Sequence, residues 1–126
     1  MHRTLRPSAA VWLSIPLVFA VVVQSASAPQ WEVHADCAAA YQANWQNRLS
    51  DPNRKPDMSS MIQEVSEQYK VSAIGLYLKE KRAAKDEASR SIESYIKTNI
   101  ERFIAMDKVG TLEAYIDKCP QAEEAN

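Results

Sequence analysis

Glycine, histidine and cysteine are nearly missing from this chain, with two of each in 126 residues. Gly75 and Gly110 cannot build a glycine-rich loop that cradles phosphate. His2 falls in an N-terminal leader, and His34 is expected at the edge of the mature chain or removed with the leader. Ser-His-Asp and Cys-His nucleophile schemes then lack a base, and zinc sites built on histidine or several free cysteines lack ligands. No C-x-x-C or C-x-x-C-H occurs, which leaves out the usual redox and haem-attachment signatures. Hairpin dipeptides such as Asn-Gly and Asp-Gly are absent, and no sustained apolar/polar alternation stands out, so strands have no signal. The formal charge is only -1, which provides no electrostatic footprint for nucleic acid.

The N-terminus does carry a signal. His2, Arg3 and Arg6 form a basic start, Val11 to Val23 is almost wholly apolar, and Ser25-Ala26-Ser27-Ala28 supplies small residues of the kind a leader-removing protease accepts. The run is shorter than the roughly 20 residues that span a bilayer. Residues 1–28 therefore read as an export signal, with Val33-His34-Ala35 as an alternative site that moves the cut as late as residue 35. Pro29 directly after Ala28 is an awkward neighbour for a protease, because its ring fixes φ and it has no N–H. Cys37 follows His34-Ala35-Asp36, which is not the small apolar context of a lipid-anchored cysteine. Losing Arg3 and Arg6 but no acid takes the formal charge from -1 to -3. With no second long apolar run, a water-soluble product without stable membrane insertion is expected in the periplasm or outside the cell.

Beyond the leader the chain reads as a short linker at 29–35, an all-α domain at 36–120 and an acidic tail at 121–126 that should fray. Asp36 is the expected N-cap of a first helix, with Cys37, Tyr41, Trp45 and Leu49 on one face. Ser50-Asp51-Pro52-Asn53 stops it, and Pro56 marks a loop. A second helix is expected to begin near Asp57 to Ser60, where Ser60 and Gln63 have capping-box spacing. Its apolar stripe is Met58, Met61, Ile62, Val65, Tyr69, Ala73 and Leu76. Continuous helix from Met58 to Met106 would be unusually long, so a break is expected between Lys81 and Ala88. Ile92, Tyr95, Ile96, Ile100, Phe103 and Ile104 mark a third helix, with Asp86/Arg90 and Glu93/Lys97 as pairs on its wet side. Gly110 ends it, Thr111 caps a short last helix, and Leu112, Tyr115, Ile116 and Cys119 share a face there. Such stripes can cover one another as a small bundle of three to four helices. In an exported chain Cys37 and Cys119 should pair, closing the bundle from its N- to its C-terminal end.

Candidate functional groups are sparse. Asp36, Asp51 and Asp57, or Glu64 and Glu67, could supply a carboxylate pair, but scattered acids read first as caps and solvated faces. Met58 and Met61, one helical turn apart and joined by Met106, could hold Cu(I), although methionine at this spacing is ordinary core filling. Lys79, Lys81, Arg82 and Lys85 alternate with Glu80, Asp86 and Glu87, as on an exposed turn. The aromatic residues are the better anchors. Trp45, Tyr69, Tyr77 and Tyr95 are the candidate interface. The expected role is a non-catalytic binding module (inhibitor, immunity-type or chaperone-like) that needs no cofactor and acts on another exported or envelope protein. A carrier of a small apolar ligand or metal in the bundle interior is the alternative. Any stripe could instead face a second copy of the chain, so a homo-oligomer is open.

Overall fold

A computed structural model describes residues 28–53 and 56–122, with residues 56–59 described by their backbone alone. The leader at 1–27, the side chains of Asp57 and Met58 and the tail beyond residue 122 lie outside the described residues. Four helices are present among the described residues and no strand: α1 Gln30–Leu49, α2 Pro56–Lys81, α3 Lys85–Lys108 and α4 Leu112–Asp117.

α1 is the axis of the fold and packs against all three other helices. It begins earlier than expected. The linker assigned to residues 29–35 is helical from Gln30, and Pro29 rather than Asp36 occupies the N-cap position. The Pro29 carbonyl accepts the first two bonds, from the N–H groups of Glu32 and Val33 at 3.1 and 3.2 Å. Proline has no N–H to leave unpaired before a helix, so it opens one without loss. The buried face also differs from the expected stripe. Ala35, Ala38, Ala39, Ala40 and Ala43 are fully buried, while Leu49 is 42% exposed. Alanine favours helix and keeps the helix surface low, so neighbouring helices can close around α1 from several sides.

α2 runs antiparallel to α1, bringing Ser66 to Ala38 and Ser72 to His34. Pro56 is its first residue, a position where proline's fixed φ suits the helix. The Ser60–Gln63 pair thus sits inside the helix and caps nothing. Asp51 closes the preceding turn by accepting the Asn53 N–H at 2.9 Å. The expected break falls at residues 82–84, where Arg82 takes a left-handed φ of 52°. α3 then returns parallel to α1, with Tyr95 at Asp36 and Asp107 at Asn47. Its stripe is as expected: Ile92, Ile96 and Phe103 are buried, and Tyr95, Ile100 and Ile104 pack beside them.

Gly110, at φ 83°, ends α3 in a Schellman motif. The Thr111 N–H donates to the Met106 carbonyl at 2.9 Å and the Gly110 N–H to Asp107 at 3.2 Å. The Thr111 hydroxyl also turns back to Met106, so it does not cap α4 as expected. α4 lies over α1 and α3 through fully buried Leu112 and through Tyr115, whose ring centroid is 5.0 Å from that of Phe103. The Cys37–Cys119 disulfide joins α1 to the segment just after α4, across a sequence separation of 82. The fold is an all-α bundle closed by one bridge near its ends.

Candidate functional site

Trp31, near the start of α1, lies between the two arms of the α2–α3 hairpin, its ring centroid 5.1 Å from Tyr77 on α2 and 5.4 Å from Tyr95 on α3, both edge-on. Its indole N–H is buried and finds no acceptor among the described residues. Lys70 on α2 and Glu93 on α3 form an ion pair of 3.2 Å that joins the arms. Glu93 thus reaches across the hairpin to α2, where residue spacing had offered Lys97 on its own helix.

From this ion pair a cleft of about 390 Å³ runs toward the C-terminal half of α1. Trp45, Ile96 and Ile100 give it an apolar side, and Gln42, Gln46, Gln63, Glu67, Lys70, Glu93 and Lys97 line the rest. Ser66 also lines it, but its hydroxyl is already committed to the Ala38 carbonyl at 2.9 Å. The cleft therefore combines one large half-buried ring, two isoleucines and a mixed-charge, amide-rich border. Such a lining can hold an apolar anchor while hydrogen-bonding what surrounds it.

The four aromatic residues chosen from sequence do not share one face. Trp45 lines the cleft. Tyr69 is only 7% exposed, so it is core and not surface. Its ring stacks on Tyr41 at 5.6 Å and its hydroxyl donates to the Pro120 carbonyl. Tyr77 and Tyr95 hold Trp31. The cleft's glutamines and lysines were missed because polar residues beside an apolar stripe look like ordinary solvated surface. Their i,i+4 spacing at Gln42/Gln46 and Gln63/Glu67 was the available signal.

Two polar clusters lie on the N-terminal half of α1, one partly exposed and one buried. Asp36 accepts the Tyr95 hydroxyl at 2.9 Å and an Arg102 N–H at 3.1 Å. Burial raises the Asp36 carboxyl above its ordinary value of 3.8, although the Tyr95 bond and the Arg102 charge pull the other way. Burial and then the Asp36 bond push the Tyr95 phenol far above its usual range. The second cluster corrects the expectation for His34. It is 2% exposed, with Nδ1 2.7 Å from the Ser72 hydroxyl and its ring centroid 5.9 Å from that of Tyr69. A serine–histidine pair does exist, but Ser72 is 3% exposed and the pair is sealed between α1 and α2, so no substrate reaches it.

The remaining candidates are solvent-facing. Met61 is 64% exposed, outside the core stripe expected for it. Among the described residues no three histidine, cysteine or carboxylate side chains gather as metal ligands. Asp51, Glu64 and Glu67 are exposed, as are Lys79, Lys81, Arg82 and Lys85 around the α2–α3 joint. Among the described residues no helix is long and apolar enough to cross a membrane.

No protein-family model, curated protein or solved structure matches this chain.

Proposed function

We propose that this is an exported, non-catalytic binding module of the periplasm or extracellular space, which takes a segment of another exported or envelope protein in the cleft beside Trp45. The lining of that cleft carries the reading: an aromatic and two isoleucines on an apolar side, with hydrogen-bonding and charged groups lining the rest, a combination that suits recognition of a protein segment. Export is supported by the leader-like sequence at 1–28 and by a disulfide, which persists in oxidising compartments. Nucleic acid remains a poor partner for a chain of this charge. A ligand carried in the bundle interior is less well supported, because fully buried alanines bring the helices together along α1.

The test is capture from the source's own exported fraction with tagged wild-type protein and with a Trp45→Ala/Lys97→Ala variant. Both residues line the cleft, Trp45 half-buried and Lys97 exposed, so the variant should melt close to wild type. One partner held stoichiometrically by the wild type and lost by the variant is the expected result. A partner retained equally by both, or a turnover that depends on a pair of acids, would defeat the reading.

A further inference from the structure

We infer that the export protease cuts between Ser27 and Ala28, so that the mature chain begins one residue before Pro29. The inference rests on the export reading above and identifies where that export is completed. Ahead of Asp36, three bonds have a small residue at the last position before the cut and a small residue or valine at the third-last, both outside the apolar run that ends at Val23: after Ser27, with Ser25; after Ala28, with Ala26; and after Ala35, with Val33.

The fold removes the last of these. A cut after Ala35 would strip away Trp31, which fills the space between Tyr77 and Tyr95 at 5.1 and 5.4 Å, together with His34 at 2% exposure and Ala35 at 0%. It would also remove the Pro29 carbonyl that caps α1. The product would lack part of its own core, and the α2–α3 hairpin would lose the ring that packs on both of its arms.

The cut after Ala28 fails on chemistry. Its scissile bond would be an imide to Pro29, whose ring fixes φ and offers no N–H to a protease cleft. It would also place the new ammonium on the N-cap residue itself, against the positive end of the α1 dipole. Hydrolysis after Ser27 adds water across an ordinary amide, leaving a carboxylate on Ser27 and an ammonium on Ala28. Ala28 is exposed and lies outside α1, so the new terminus disturbs no packing.

The experiment uses the full chain with a C-terminal tag in a bacterial host, with intact mass and N-terminal sequencing of the exported product. Wild type should begin at Ala28. Ala28→Leu should be cut at the same bond, because the bulky residue then follows the cut, whereas Ser27→Leu should abolish or relocate the cut. A product starting at Pro29 or Asp36, or an Ala28→Leu chain that escapes processing, overturns the inference while leaving export standing. A chain that stays full length and outside the exported fraction overturns the export reading and this inference with it.

Discussion

Breaking the Cys37–Cys119 bridge should cost this bundle a large part of its stability. The bridge spans 82 residues of sequence. In the chain-entropy model, a loop of that size removes unfolded-state freedom equivalent to about 4.5 kcal/mol at room temperature. Small domains hold only about 5–15 kcal/mol in total. The bridge also has a local role, because α4 has six residues and a helix that short has no stability of its own. Leu112, the Phe103–Tyr115 contact and the Tyr69 bond to Pro120 are what remain to hold it when the sulfurs part. Urea unfolding followed by far-ultraviolet circular dichroism, with and without reductant, measures both roles. The reduced protein should be less stable by about 4 kcal/mol, with a larger m-value because its unfolded chain is no longer held compact. A Cys37→Ala/Cys119→Ala variant should behave alike without reductant. A loss below about 1 kcal/mol in a single transition would refute the long-loop argument. A small early step followed by an unchanged main transition would show that the bridge holds α4 alone.

The two glycines should respond to alanine with opposite signs. Neither offers a steric obstacle to an added methyl, but Gly75 is inside α2 whereas Gly110 sits at φ 83°. Gly75→Ala should stabilise by about 1 kcal/mol and Gly110→Ala destabilise by about 1 kcal/mol, both readable as shifts in melting midpoint. Ala39→Leu, at a fully buried site on α1, should cost about 1–3 kcal/mol or more by forcing the helices apart, and a neutral result would mean that α1 is less tightly enclosed. Asp36 supplies a pH test. Its carboxyl holds a proton more tightly in the folded state than the ordinary 3.8, so its contribution is full below that value and is lost as pH rises through the folded pKa. Asp36→Asn, which cannot ionise, should therefore cost more stability near pH 3 than near pH 7 in denaturant titrations, and the reverse order would show that the Arg102 pair outweighs burial.

The α3 stripe, the stop at Ser50–Asn53, the break after Lys81 and the Gly110 terminus were legible from residue spacing and turn chemistry, local rules that tertiary packing did not overrule. The cysteine pair was legible for another reason, because two cysteines in a chain read as exported have only each other as partners. The start of α1 was not legible, because an N-cap rule favours aspartate, whereas the residues that decide the matter are Trp31 and His34. Their value lies in contacts with Tyr77, Tyr95 and Ser72, which are distant in sequence. The alanines of α1 misled in a related way. A stripe search weights large residues, so it selected Cys37, Tyr41, Trp45 and Leu49, while the helix at the centre of a tight bundle is the one that can least accommodate bulk. Of the cleft, Trp45 was anticipated as an interface residue, Ile96 and Ile100 as a stripe and Glu67 as a candidate acid, but that α1, α2 and α3 bring them to one cleft depends on tertiary packing, which has no local signature.

The two halves of α1 have different duties. Its N-terminal half carries the Trp31 contacts, the His34–Ser72 and Asp36–Tyr95 bonds and the disulfide, so the arms of the hairpin are held there by rings and hydrogen bonds, and the segment after α4 by a covalent link. Its C-terminal half carries Gln42, Trp45 and Gln46 on the open cleft, and Leu49 stays 42% exposed one turn beyond Trp45. With Asn47 also bonded to Asp107 beyond it, the cleft lies on an α1 fastened on both sides, and it stays open without being filled by the protein's own side chains. Substitutions in the first half should therefore lower stability and carry any loss of binding with it. Substitutions at Trp45 or Lys97 should remove binding while the melting midpoint stays in place, which is the separation that distinguishes a recognition cleft from an imperfectly packed seam.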